Sequence, residues 1–140
     1  MPERETVLVF DVNETLLDLS ALDAPFEQVF GDRHARREWF SQLLQSALVS
    51  TIVGPYADFG SVGRAALTMV AQRRERELTD EEASRVLGTI KELPPHPEVA
   101  GALDRLERGG YRLATLTNST VGVADAQLRN AGLAAHFERI

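Results

Sequence analysis

Two short stretches hold the side chains best suited to chemistry. In "VLVFDVNETLLD", Val7 to Asp18, an apolar run ends on a carboxylate, Asp11, and a hydroxyl, Thr15, follows four positions later. In "LATLTNST" a second apolar run ends on Thr117, Asn118 and Ser119. A carboxylate at the end of a buried strand is partly dry and stays ionised only where donors satisfy it. The N–H groups of the following turn and the Thr15 hydroxyl can supply them. Held in this way, Asp11 is a candidate nucleophile or ligand; the plainer alternative is a loop acid capping a turn. The two stretches together are the more specific signal. Asn13 stands two residues after Asp11. An amide cannot shuttle a proton, although asparagine is also an ordinary turn residue.

The surrounding pattern says what must position these groups. Thr6 to Phe10 reads as a central strand buried on both faces, and Val12 to Asp18 as a loop. From Leu19 to Leu93 the apolar spacing is helical. Leu22, Phe26 and Phe30 form one stripe, stopped by Gly31. Trp39, Leu43, Ala47 and Leu48 form a second, with Phe40 and Leu44 beside it, broken at Gly54-Pro55. A third helix is read as capped by Ser61. A fourth opens with a Thr79/Glu82 capping box and is closed by Pro94 and Pro95. Then the pattern changes. "PEVAGALDRLERGG" is a helix stopped at Gly109-Gly110, "YRLATLT" a strand, and the next helix ends near Gly132. "LAAHFERI" reads as the start of a third strand. Strands separated by helices imply an α/β fold with a parallel sheet, here interrupted by a four-helix insert. The expected domains are a discontinuous α/β core over 1–18 and 94–140 and a helical domain over 19–93. In such sheets the site lies at the carboxyl ends of the strands, where Asp11 and Thr117-Asn118 both fall.

Composition narrows the function classes. The 140 residues are 44% hydrophobic and 26% charged, with a formal net charge of -6. That balance disfavours nucleic acid or an anionic membrane as partner. There is no cysteine, hence no disulfide and no thiol nucleophile. No apolar run approaches the roughly 18 residues of a membrane span, and the charged N-terminus is unlike a signal peptide. The expectation is a soluble, cytoplasmic protein acting on a small molecule. His34, His96 and His136 are scattered without metal-ligand spacing, "GDRHARRE" reads as a solvated helix start, and no glycine-rich phosphate loop is present.

"VFDVNETLLD" resembles motif I of the haloacid dehalogenase superfamily, and "LATLTNST" resembles motif II. A helical insert between them is similar to that superfamily's cap. "TNS" and "EWFSQLLQSAL…GPYADF" resemble the L-2-haloacid dehalogenases in particular. The resemblance implies a Rossmann-like core and hydrolytic dehalogenation of a small 2-haloalkanoic acid. It implies that Asp11 is a covalent nucleophile forming an aspartyl ester, that Thr15 orients it, that Thr117 binds the substrate carboxylate and that Asn118 donates to the departing halide. Val12, Asn13 and Ser119 join the substrate-binding set, and Leu44 and Phe59 match positions lining an apolar pocket; each also suits a plain helical core. No cofactor or metal is implied. Superfamily phosphatases carry a second Asp where Asn13 stands and bind Mg²⁺, so Asn13 favours halide over phosphate as leaving group.

Two departures bear on this expectation. The family's cap arginine aligns with Phe40, and Arg36 and Arg37, one turn away, are ordinary solvated arginines unless the register shifts. The family also continues with a third strand, a lysine and an acidic stretch, none of which precedes Ile140. Lys91, the sole lysine, suits the end of a helix. The chain therefore reads as the N-terminal two-thirds of such a protein, expected to be poorly stable, associating or inactive alone. The alternatives are a Mg²⁺-dependent phosphatase on a small phosphorylated metabolite and a non-catalytic binding domain. A homodimer is expected by analogy only.

Overall fold

The structure is a computed structural model and describes residues 6–140. Among these residues two strands and six α-helices follow in the order β1 (Val7–Phe10), α1 (Asp23–Phe30), α2 (Ala35–Val53), α3 (Phe59–Arg73), α4 (Asp80–Gly88), α5 (Val99–Arg108), β2 (Arg112–Thr115) and α6 (Val121–Asn130). They pack into two compact units. One comprises the described residues up to Leu19 with Lys91–Thr117 and Val121–Ile140. The other comprises Ser20–Ile90 with Asn118–Thr120.

The α/β unit is built on a parallel pair. β1 and β2 run in register from Val7 against Arg112 to Phe10 against Thr115. The crossover between them includes α5, which Gly109 and the left-handed Gly110 end before β2. The sequence pattern predicts a strand buried on both faces; among the described residues one face of β1 is open. β2 lies between β1 and the C-terminal segment. Its even-numbered residues bond toward β1, and its odd-numbered residues bond toward the C-terminal segment, Glu138 N to Leu113 O at 2.9 Å and Thr115 N to Arg139 O at 3.0 Å. β1 alternates because its two faces differ in cover: Val7 and Val9 on one face are 45% and 58% exposed, while Leu8 and Phe10 on the other are half-buried. The expected third strand takes the form of a 3-10 turn, Ala134–His136, followed by a single parallel bridge between Ala114 and Arg139. The core under the sheet gathers Leu17, Leu93, Leu103, Leu113, Leu128 and Leu133, all at most 1% exposed, with Phe137 edge-on to Phe10.

The helical unit packs around Trp39. Its indole is fully enclosed, its ring centroid lies 5.4 Å from that of Phe26, and Nε1 donates to the Gly63 carbonyl at 2.9 Å. Phe26, Leu43, Leu67 and Val70 complete this core. α3 begins at Phe59, so Ser61 is an internal first-turn residue and not the cap. The cap is Asp58, whose carboxylate accepts from the Ser61 N–H at 3.0 Å. The capping box of α4 forms as its residues dictate: Glu82 N donates to Thr79 Oγ1 and Thr79 N donates to a Glu82 carboxylate oxygen. The apolar stripe of α2 is buried only as far as Leu43. Leu44 and Leu48 beyond it are exposed. Among the described residues no helix is long and apolar enough to cross a membrane.

Candidate active site

Asp11 leaves β1 directly after Phe10, and Thr117 follows β2 two residues after Thr115, the register partner of Phe10. Leu116 N donates to Phe10 O at 2.8 Å, which extends the pairing beyond the strands. Two groups about a hundred residues apart thus reach the carboxyl end of one parallel pair, where α/β sheets place their ligands.

The loop after β1 shapes the Asp11 environment. Val12 is fully buried and plugs the loop into the core. Its carbonyl accepts from Leu16 N at 2.9 Å and Leu17 N at 3.0 Å, closing a tight turn. Glu14 takes a left-handed backbone in this turn, φ 66°, at a cost of roughly 1–2 kcal/mol for a residue with a Cβ. Its N–H donates to Leu17 O at 2.9 Å. The turn brings Thr15 back over Asp11, whose Oδ2 accepts from Thr15 Oγ1 at 3.4 Å, the long end of hydrogen bonding. The Asp11 carboxylate is exposed and not partly dry. Buried packing holds its backbone, while the side chain faces outward.

Asn13 is half-buried, and its side-chain oxygen accepts from Gln127 Nε2 at 2.9 Å. Gln127 is completely buried on α6 between Ala124 and Leu128. Asn13 therefore ties the loop to α6, a connection that sequence reading did not find. The available signal was a polar residue on the apolar stripe of that helix.

Within the helical unit, Leu44, Leu48, Thr51, Tyr56 and Phe59 line a cavity of about 380 Å³ together with Asn118, whose segment belongs to this unit. None of the residues lining it is charged. Thr51, beside the apolar stripe of the second helix, and Tyr56, within the GPYADF stretch, lie around the Gly54-Pro55 break; neither is a site candidate on sequence grounds. Phe40 is half-buried one turn before Leu44, tilted against the Trp39 ring, and is not among the lining residues. Ser119 is half-buried. The solvated reading of the two arginines holds for Arg37, which is exposed. It fails for Arg36, which is buried with its guanidinium 2.5 Å from Asp23. That ion pair occupies the cation; a buried pair is costly to break.

The sequence profile of the haloacid dehalogenase-like hydrolase family matches residues 6–140. The chain belongs to that family. Haloacetate dehalogenase H-2 of Moraxella sp. (strain B) is 30% identical over 135 residues, which are 95% of this chain and 60% of that protein. The L-2-haloacid dehalogenase of Xanthobacter autotrophicus superposes with a TM-score of 0.88 at 26% identity, over 96% of this chain and 55% of that one. A structure of the same enzyme with chloropropionic acid covalently bound superposes equally well, with a TM-score of 0.88, 26% identity and the same coverage. The chain thus spans little more than half the length of the relatives it matches. Its fold is that of these dehalogenases: a helix-rich α/β arrangement with a short parallel sheet.

Proposed function

We propose that the protein hydrolyses the carbon–halogen bond of a small 2-haloalkanoic acid through an ester on Asp11. A carboxylate oxygen of Asp11 attacks C2 in line with the halogen, the C–O bond forms with inversion, and halide leaves with the bonding electrons. Water then attacks the carbonyl carbon of the ester. The 2-hydroxy acid departs, a proton is released to solvent, and the carboxylate is restored. Thr15 orients the nucleophile, Thr117 holds the substrate carboxylate with N–H help from Ser119, and Asn118 donates to the halide as its charge develops. Val12 and Asn13 shape the loop on which the substrate rests. Leu44 and Phe59 take its apolar side; Phe40 removes the cation that relatives use there. On this reading residues 19–93 act as the cap and 1–18 with 94–140 as the catalytic core.

The observation that carries the proposal is the exposed Asp11 carboxylate at the carboxyl end of β1, with Thr117 at the end of β2, in a chain that matches haloacid dehalogenases along nearly its whole length. Asn13 supports halide as leaving group, since an amide bonded to Gln127 cannot protonate an alkoxide. The reaction as written needs no metal or cofactor.

The test is halide release from 2-chloropropionate and chloroacetate, measured beside Mg²⁺-dependent phosphate release from an aryl phosphate. Asp11→Asn is expected to lower halide release by about a thousandfold or more with unchanged circular dichroism. Single turnover in H₂¹⁸O should place the label on Asp11. Phosphate release without halide release would transfer the reading to a phosphatase; neither activity would leave a binding domain.

A further inference from the structure

Three metal-ligating side chains that the active site does not use meet on the α/β unit. Asp104 and Glu107 stand one turn apart on α5, on the same face. His136, in the 3-10 turn after α6, leans onto them: its Nδ1 lies 2.6 Å from Glu107 Oε2 and 3.9 Å from Asp104 Oδ1. One ligand atom from each of the three lies within 4.8 Å of the others. The imidazole is largely covered, 17% exposed, so its direction is held by packing. Both carboxylates are open to solvent, which leaves a path for an ion. We propose that Asp104, Glu107 and His136 form a binding site for a zinc-like divalent transition-metal ion.

The donor set selects the class of ion. One imidazole nitrogen with two carboxylate oxygens suits Zn²⁺ and its first-row neighbours, with water completing a tetrahedron. It suits Mg²⁺ poorly, which demands six oxygens in octahedral array. Bonds of about 2.0–2.1 Å to a tetrahedral ion keep ligand atoms roughly 3.3 Å apart. The present spacings of 2.6 and 3.9 Å fall on either side of that figure, so each changes by less than an ångström on loading. Two carboxylates and a neutral imidazole also balance the dication.

The location separates this site from the catalysis proposed above. The C-terminal half of α5 leads through Gly109-Gly110 into the amino end of β2, the end of the sheet opposite Asp11 and Thr117. A bound ion there staples α5 to the turn that precedes the Ala114–Arg139 bridge. It would stiffen the C-terminal segment without touching substrate.

The untagged protein is titrated with Zn²⁺ against a chromophoric chelator, and Co²⁺ is used as a spectroscopic substitute. The expected results are one ion per chain, a raised melting temperature, and a Co²⁺ visible spectrum of four-coordinate type. His136→Gln should weaken binding by about tenfold or more. Glu107→Gln should do likewise, and serves where His136→Gln fails to fold. His34→Gln and Asp11→Asn should bind as the parent does. Absence of saturable binding, or affinity unchanged in both His136→Gln and Glu107→Gln, would overturn the site. Neither result bears on halide release, so this proposal and the catalytic one fail separately.

Discussion

The helical unit and the α/β unit reach stability by different routes. The helical unit is contiguous in sequence apart from Asn118–Thr120, and its core closes on itself around Trp39, Phe26, Leu43, Leu67 and Val70. The α/β unit is assembled from separated segments, and its two-stranded sheet leaves Val7 and Val9 exposed on one face of β1. One unit is held by packing between helices that are neighbours in sequence. The other depends on pairings that span about a hundred residues, whose loop-closure entropy must be overcome before they form. The side chains differ as well: the cavity in the helical unit has no charged lining residue, while the α/β unit carries Asp11 and Thr117 just beyond its strands.

The largest stability effect that tests this contrast is Trp39→Ala. The indole is both the centre of the helical core and a satisfied donor to Gly63. Truncation should cost about 3–5 kcal/mol, as for other buried aromatic residues. Far-UV circular dichroism in urea should show a lowered midpoint, with helix lost first and protection of β2 amides retained in hydrogen exchange. Equal loss of protection at Leu113 and Leu67 would mean that the two units unfold as one.

A smaller effect is expected within the α/β unit at Gln127→Leu. The substitution is close in volume but removes the donor to Asn13 Oδ1 and places a methyl group where an amide was. The expected cost is about 1–3 kcal/mol for a half-buried acceptor deprived of its partner. The change should also loosen the loop that carries Asp11, so halide release should fall in kcat more than in KM. A melting temperature and activity equal to the parent's would remove Asn13–Gln127 from the supports of the site.

The elements and the two chemical stretches were readable in the sequence because each has a local cause. Thr79 and Glu82 make a capping box wherever a helix starts beside them, and an apolar run ending on Asp11 marks a strand end. What was unreadable depends on assembly. The apolar run of β1 looks the same for a strand buried on two faces and for one with Val7 and Val9 exposed. Arg36 looks like its neighbour Arg37 until α1 brings Asp23 beside it. Ser61 and Asp58 are both good caps, and only the start of α3 at Phe59 decides between them. Gln127 and the meeting of His136 with Asp104 and Glu107 require α5, α6 and the last turn to be in place.

The smallest effect is an acid sensitivity that should appear first in the helical unit. Three of its carboxyls are held below their ordinary range: Asp32 by the His34 N–H and then by Arg74, Asp58 by the Ser61 hydroxyl and N–H, and Glu82 by the Thr79 N–H. In the α/β unit, among the described residues, Glu138 is similarly lowered, chiefly by its hydrogen bond from Arg112. A carboxyl with a lower pKa in the folded chain than in the unfolded one is less protonated when folded. Its contribution is present above the unfolded value, near 4, and disappears as pH falls through the folded value. Asp32, Asp58 and Glu82 are half-buried and Glu138 is exposed, so solvent screens each group and the contributions are small, showing mainly as a slope. Trp39 is the sole tryptophan, and its fluorescence reports on the helical unit alone. Its melting temperature should decline from about pH 5 to pH 3, and the double variant Asp58→Asn, Glu82→Gln should flatten that decline. An equally steep decline in the double variant would place the acid-sensitive groups outside the helix starts of α3 and α4.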